Sequence, residues 1–248
     1  MRKIVLGELQ AHLTGGSDGA GGGSGPLVVL LHGFGAPGTD LLPLAGEVAA
    51  PPNVRWLFPM APLVLDPSLA ETAAPRAWWN IDMVELQVAA MTGQFATLLE
   101  RKPAGLDEAR EQLTALLDAA ERELGVTPER VILGGFSQGA MLATDTVLRS
   151  KRPFAGLAIL SGTVLTKTDW QALASARSGL PVLLSHGRAD PILPFSVAEE
   201  LRDLLTGCGL QVDWLPFSGG HGIPGPVLSR LTALLARFAN EGAELKRP

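Results

Sequence analysis

Short apolar runs recur along the chain and alternate with stretches of helical periodicity, and this alternation limits the fold more than any other feature. The runs lie at residues 4–9, 27–31, 54–58, 131–133, 157–160, 182–184 and 212–215. Strands that are apolar on every residue are typical of a parallel sheet covered by helices on both faces. With 248 residues, 46% of them apolar, the chain can bury a substantial core, and its length fits one large domain or two small ones, of which one is favoured. We therefore predict a single α/β domain over residues 1–248.

The clearest helix is predicted over 106–124, where apolar side chains follow the three-and-four spacing of one buried stripe and Gly125 ends the pattern. Further helices are predicted after Ser137, across 196–205 and over 226–238. The glycine-rich stretch 15–25 falls between the first two predicted strands and has almost no side chains that could pack. It is predicted to be a flexible hairpin tip or loop.

Ser137 lies in the segment Gly-Gly-Phe-Ser-Gln-Gly, directly after the apolar run that begins at Val131. Gly135 and Gly139 complete a Gly-x-Ser-x-Gly pattern, which is typical of a sharp turn between a strand and a helix that holds a serine nucleophile exposed. A chain with 29 glycines can also produce this pattern by chance at an ordinary turn. The nucleophile hypothesis therefore needs a base, an acid and oxyanion donors elsewhere in the chain.

His221 is the expected base, because the serine-acid-histidine order of this fold places the histidine late in the chain. It follows the run 212–215, precedes the last predicted helix and is the only one of four histidines that comes after every plausible acid. His12, at the start of the glycine-rich stretch, is interpreted as a solvated residue.

Asp190 is the expected acid, since it follows a predicted strand and enters a loop bounded by Pro191 and Pro194. A carboxylate there can orient an imidazole and stabilise its charged form. Asp169 and Asp213 are the competitors, although the first resembles a loop or helix-cap residue and the second lies within a strand. His186 is interpreted as a structural residue at the strand end.

Two backbone amides are expected to bind the oxyanion. Gln138 follows the serine and supplies the first, and Phe34, in the small-residue loop after the run 27–31, supplies the second. His32 is expected to fasten that loop.

The same loop satisfies Gly-x-Gly-x-x-Gly through Gly33, Gly35 and Gly38, which raises a dinucleotide-binding alternative. Two observations disfavour it. The next strand ends in Leu-Phe-Pro-Met-Ala-Pro without the acidic residue that would hold a ribose, and Pro37 has no N–H to offer a pyrophosphate.

Composition argues against several other classes of protein. A net charge of −5 and a pI near 5.4 leave no basic face, so nucleic acid is not an expected partner. The single Cys208 excludes an internal disulfide and a cysteine-based zinc site. No apolar window approaches a membrane span, and the first apolar run is interrupted too early for a signal peptide. We expect a cytoplasmic protein without stable membrane insertion.

Six blocks in this order make the chain resemble the phospholipase/carboxylesterase family of α/β-hydrolases, which includes acyl-protein thioesterases and small bacterial carboxylesterases. The blocks are Leu-His-Gly-Phe-Gly from Leu31, Ala61-Pro62, Ala-Trp-Trp-Asn-Ile from Ala77, Ile-Leu-Gly-Gly-Phe-Ser-Gln-Gly-Ala from Ile132, His-Gly-Arg-Ala-Asp from His186, and Gly220-His221. The resemblance implies an α/β-hydrolase fold, a triad on Ser137, Asp190 and His221, and oxyanion amides on Phe34 and Gln138.

The resemblance also implies that Trp78 borders an acyl pocket, and we expect Trp78, Trp79 and Ile192 to contact substrate. A purely structural role in the core is the alternative for both tryptophans. The stretch 83–105 is longer than usual for the family, and Val84, Val88, Met91, Phe95 and Leu98 recur in it at helical spacing. Either a hinged cap over the pocket or a helix packed permanently on the body would fit this stripe.

These expectations converge on a serine carboxylesterase that hydrolyses short- to medium-chain esters through an acyl-enzyme, with a small-molecule ester as its substrate. An acyl thioesterase or lysophospholipase with the same machinery is the alternative, and a non-catalytic ligand-binding protein on the same fold is a more remote one. No cofactor or metal is expected. The resemblance also raises the possibility of a homodimer.

Overall fold

A central sheet lies between two layers of helices in the computed structural model, which describes residues 1–239. The strands are β1 Arg2–Leu6, β2 Leu9–Gly16, β3 Ala20–Gly22, β4 Leu27–Leu31, β5 Arg55–Pro59, β6 Leu63–Val64, β7 Arg76–Ala77, β8 Val131–Phe136, β9 Gly156–Leu160, β10 Pro181–Gly187 and β11 Gln211–Phe217. The helices are α1 Leu44–Glu47, α2 Met83–Thr92, α3 Phe95–Glu100, α4 Leu106–Leu124, α5 Gln138–Arg149, α6 Lys167–Ala174, α7 Phe195–Gly207 and α8 Gly225–Ala239.

The main sheet runs in the order β1-β2-β5-β4-β8-β9-β10-β11, with β3 paired to β2. From β5 to β11 every neighbouring pair is parallel, whereas β1 and β2 add an antiparallel edge. Strands β6 and β7 form a separate antiparallel pair. The predicted parallel sheet with helices on both faces is confirmed.

Strand β4 is apolar throughout because each of its two faces packs against helices. Its odd-numbered residues Leu27, Val29 and Leu31 pack in the same core cluster as the buried faces of α4, α5 and α7, and its even-numbered residues Val28 and Leu30 pack with α1 and α8. Because side chains alternate across a strand, both faces of β4 are buried. The carboxyl ends of β4, β8 and β10 then lie at one edge of the sheet, where the loops with the candidate site residues begin.

The N-terminal region differs from its prediction in two ways. The run 4–9 is a hairpin of β1 and β2 and not one strand, because Gly7, at φ 60°, reverses the chain. The stretch 15–25 is not a loop throughout, since Gly15 and Gly16 extend β2 and Ala20–Gly22 forms β3. Asp18 accepts the Ala20 and Gly22 amides at 2.8 Å each, which supplies the turn with side-chain contacts that glycine content alone does not indicate.

The stretch 83–105 forms two helices, α2 and α3, divided by Gly93 in the left-handed region at φ 72°. The predicted apolar stripe does not form a continuous buried face. Val84, Val88 and Met91 are exposed, whereas Phe95 is buried. Helix α2 is apolar on every side, so spacing alone could not identify the side that packs.

Candidate active site

Ser137 occupies a strained turn between β8 and α5. Its backbone has φ 53° and ψ −118°, which a residue with a side chain rarely adopts. The two glycines of the motif allow strand, turn and helix to approach: a Cβ on Gly139 would lie 2.1 Å from the Leu31 carbonyl oxygen, and one on Gly135 would lie 2.5 Å from the Gly139 carbonyl carbon. We call residues 135–139 the serine turn.

His221 follows β11, and its ring reaches the carboxylate of Asp190, which follows β10. Nδ1 of His221 lies 2.7 Å from Oδ2 of Asp190, whose side chain is fully buried. The other carboxylate oxygen accepts the amides of Ile192 at 2.9 Å and Leu193 at 3.0 Å. Because Nδ1 is engaged with the carboxylate, Nε2 is the nitrogen of His221 that can accept a proton.

The Asp190 carboxylate stays ionised despite its burial. Burial acts to raise its pKa, but hydrogen bonds from His186, His221 and the Leu193 and Ile192 amides outweigh that effect and hold the pKa well below its ordinary value. His186, which is fully buried, places Nε2 3.3 Å from Oδ2 of Asp190 and 2.9 Å from the Leu193 carbonyl oxygen. The sequence predicted a structural role for His186 at the strand end, but its contact with Asp190 had no sequence signal.

The loop after β4, residues 32–35, approaches the serine turn, and we call it the β4 loop. A Cβ on Gly33 would lie 3.3 Å from that of Ser137 and 3.2 Å from the Phe136 ring. Phe34 and Ser137 line the same cavity. Gln138 is the first residue of α5, so its N–H has no acceptor within the helix. Both amides expected to bind an oxyanion therefore belong to segments that meet at Ser137.

His32 fastens the β4 loop through both ring nitrogens. Nδ1 lies 2.9 Å from the Gly33 carbonyl oxygen, and Nε2 accepts the Ala61 amide at 3.1 Å. Only a ring protonated on Nδ1 alone fits both bonds. Burial lowers the pKa of His32 to about 4, which favours this neutral form.

The two tryptophans have different surroundings. Both side chains are only 2% exposed, but Trp79 lines the cavity and Trp78 does not. The Trp78 indole donates from Nε1 to the His32 carbonyl at 3.0 Å. The Gln138 side chain accepts the Trp78 amide at 3.0 Å and donates to the Trp79 carbonyl at 2.8 Å. Trp78 is therefore engaged with the β4 loop, and only Trp79 borders the cavity.

A cavity of about 570 Å³ contains Ser137 and His221 in its wall. Its other walls are largely apolar, and Ile192, 36% exposed, lies at its edge. Further apolar lining comes from Ile81, Met83, Leu86, Met141 and Leu165, to which no sequence pattern assigned a role in a pocket. The first three belong to or precede α2 and show no distinctive spacing, so their roles become visible only in the fold.

Helices α2 and α3 cover this cavity, with Leu86 and Leu98 in its lining. Charged residues also line it. Arg101 pairs with Glu85, Lys102 pairs with Asp107 at the start of α4, and Asp82 accepts two backbone amides at the N-terminus of α2. Within residues 1–239, no group of three or more His, Cys, Asp or Glu side chains could hold a metal ion. None of the helices in the same range is long and apolar enough to cross a membrane.

The geometry also bears on the dinucleotide alternative. A fingerprint of that kind needs a helix that begins within the glycine motif, so that its N-terminus faces the pyrophosphate. After β4 the next helix is α1, which begins only at Leu44 and is four residues long.

These features define a hydrolase of the α/β-hydrolase fold. The family model for phospholipase/carboxylesterase matches residues 22–237, and the chain belongs to this family.

Individual relatives agree with that assignment. The chain is 30% identical over 188 residues to acyl-protein thioesterase 1 of Cryptococcus neoformans, covering 75% of each chain. It is 26% identical over 216 residues to carboxylesterase SOBER1 of Arabidopsis thaliana, covering 85% of this chain and 90% of the relative. The crystal structure of esterase PE8 superposes with a TM-score of 0.73 at 29% identity, covering 93% of this chain and 99% of the other.

Proposed function

We propose that the protein is a serine carboxylesterase that hydrolyses short- to medium-chain carboxylic esters through an acyl-enzyme. One observation carries the proposal: Ser137 and His221 line one largely apolar cavity, and His221 is hydrogen-bonded to the buried Asp190. A serine hydroxyl needs such a base, because it is a weak nucleophile at neutral pH.

In the proposed mechanism, Ser137 Oγ attacks the ester carbonyl while His221 Nε2 takes the hydroxyl proton. Asp190 holds the ring by its Nδ1–H and stabilises the imidazolium. The oxyanion accepts hydrogen bonds from the amides of Phe34 and Gln138. His221 then protonates the leaving alcohol, and a water molecule activated by the same histidine releases the acyl group.

The cavity supports a substrate of moderate size. Its volume of about 570 Å³ lies within the range of roughly 300–1,000 Å³ that is usual for small-molecule sites. Leu86, Met141 and Leu165 offer an apolar wall to an acyl chain. Trp79 and Ile192 are proposed to contact the substrate from other sides.

A kinetic screen with p-nitrophenyl esters of graded acyl length tests the proposal, with Ser137→Ala as its control. We expect kcat/KM to rise and then fall with chain length. The variant should lose about 10⁴- to 10⁶-fold in kcat, because the triad acts as a unit. A variant that keeps a tenth of wild-type activity would show that Ser137 is not the nucleophile.

A thioesterase or lysophospholipase activity is the second candidate, favoured by the similarity to acyl-protein thioesterase 1. A thioester carbonyl meets the same nucleophile and the same oxyanion donors. Rates with an ester and a thioester of the same acyl chain, together with fatty-acid release from a lysophospholipid, separate these activities. A kcat/KM that is at least tenfold higher for the thioester would replace the carboxylesterase proposal.

A further inference from the structure

From the hydrogen bonds around the β4 loop, we infer that Trp78 and the side chain of Gln138 are positioning residues that hold the β4 loop against the serine turn. They keep the Phe34 amide aimed at the position of the oxyanion. The inference rests on the proposed esterase function and adds a role for two side chains. These side-chain roles are separate from the role of the Gln138 backbone amide as an oxyanion donor.

The Gln138 side chain joins the serine turn to the segment after β7. It is 1% exposed, and its amide bonds to the backbone of two successive residues: it accepts from Trp78 and donates to Trp79. Burying an amide is unfavourable unless its hydrogen bonds are made, so this clamp is specific for a glutamine. The clamp fixes Trp78 relative to the turn that carries Ser137.

Trp78 passes this constraint to the β4 loop. Its buried indole donates to the carbonyl of His32, and its ring lies 5.6 Å from the His32 ring between centroids. A Cβ on Gly139 would lie 2.6 Å from the same carbonyl oxygen. The peptide unit between His32 and Gly33 is therefore held between the indole of Trp78 and the serine turn.

The next peptide unit carries the candidate oxyanion donor. The Gly33 carbonyl accepts the Nδ1–H of His32, and the Phe34 N–H belongs to the same planar trans peptide. Because the C=O and N–H of such a unit point in opposite directions, fixing the Gly33 carbonyl also fixes the Phe34 amide. Trp78 acts on that amide through His32 and does not touch the substrate.

The test is Trp78→Phe, which keeps an aromatic ring and removes the indole N–H. We expect kcat to fall about tenfold with KM within about twofold, since misplacing an oxyanion donor weakens only transition-state binding. The variant should also bind a trifluoromethyl ketone, whose hemiketal oxyanion needs both amides, about tenfold more weakly. Its affinity for the matched methyl ketone should stay within about twofold.

Trp170→Phe is the matched control. Trp170 is also buried and donates its indole N–H to an acceptor in the core, Asp145, at 2.8 Å. We expect this variant to lose stability without a change in kcat or in the ratio of the two ketone affinities. Gln138→Met keeps the backbone amide and removes the clamp, and it should lower kcat and raise KM because Trp79 also loses support.

The outcomes distinguish a failure of the positioning role from a failure of the proposed esterase function. If Trp78→Phe keeps kcat within twofold, or if both ketone affinities fall equally, the positioning role is wrong. Should Trp78→Phe fail to fold, β-benzothienylalanine at position 78 preserves the ring shape without the N–H, and the same readouts apply. Wild-type protein without ester hydrolysis, or Ser137→Ala with full activity, would instead refute the proposed function itself.

Discussion

The carboxylate of Asp190 lies beside the ring of His186, with 3.3 Å between Oδ2 and Nε2, and both side chains are fully buried. Since the same Nε2 lies 2.9 Å from a backbone carbonyl, it must carry a proton. The carboxylate therefore receives N–H donors from two sides, which explains how it remains charged where burial alone would neutralise it.

Asp190→Asn tests the role of this charge. The neutral amide can present its NH₂ group to His221 Nδ1 and stabilise the wrong tautomer, so we expect kcat to fall about 10³- to 10⁴-fold with little change in KM. Steady-state kinetics on a p-nitrophenyl ester measure the effect. Asp213→Asn is the control, because that carboxylate lies on β11 and pairs with the exposed Arg230. A loss in kcat for Asp213→Asn equal to that for Asp190→Asn would refute the assignment.

Gly139→Ala tests whether the serine turn depends on close backbone approach. The added Cβ would meet the carbonyl oxygens of Leu31 and His32 at 2.1 and 2.6 Å, and neither oxygen can move without displacing β4 or the β4 loop. We expect a loss of about 2–4 kcal/mol in the free energy of unfolding, measured with urea, together with a lower kcat.

Gly46→Ala is the matched control for that substitution. Gly46 lies in α1, and a Cβ there would meet no atom within 4 Å. The control should leave stability unchanged or raise it by up to about 1 kcal/mol, as alanine favours a helix. Equal losses in the two variants would contradict the packing argument.

The sequence predicted correctly those strands and helices whose residue pattern is compatible with only one kind of local structure. Strands β4, β8, β9 and β10 are buried on both faces, and α4 ends where predicted because Gly125 takes the left-handed conformation at φ 58°. Asp190 and His221 could be predicted as acid and base from the sequence, because chain order and loop position left few other aspartates and histidines as candidates.

The remaining features depend on contacts between distant segments. Trp78 and Trp79 are adjacent and identical, and only the fold shows that the Trp78 indole bonds to the His32 carbonyl while Trp79 lines the cavity. The packed side of α2 could not be predicted either, because that helix is apolar all round. Its exposed Val84, Val88 and Met91 match the spacing of a buried stripe.

Asp145→Ala tests the main polar contact in the core. Its carboxylate is fully buried in α5 and accepts Arg110 at 2.7 Å, Arg149 at 2.9 Å and the Trp170 indole at 2.8 Å. Removing it leaves three donors without their shared acceptor, and we expect a loss of roughly 2–4 kcal/mol in urea unfolding, reduced because both arginines are partly exposed.

A comparison with Asp169→Ala decides whether burial causes that loss. Asp169 pairs with the same Arg149, but its side chain is 54% exposed. This second variant should lose at most about 0.5 kcal/mol. If the two substitutions cost the same, the buried network is not a special source of stability.

Stability should also depend on pH through His32. Its pKa in the folded protein is about 4, below the ordinary 6.5, because the ring is buried. As the pH falls, the unfolded chain therefore takes up the proton first. The stability from the neutral ring is complete above about pH 6.5 and is lost as the pH falls toward 4, by roughly 3 kcal/mol in all. His12 is not solvated as the sequence suggested but lies buried in β2 at 5% exposure. Burial lowers its pKa too, so it contributes in the same direction and the effect must be measured by difference. Urea unfolding of wild type and His32→Asn at pH 7 and pH 4.5 isolates it: we expect the variant to be less stable at pH 7 but to lose less on acidification. Parallel losses in the two proteins would show that His32 is not buried as a neutral ring.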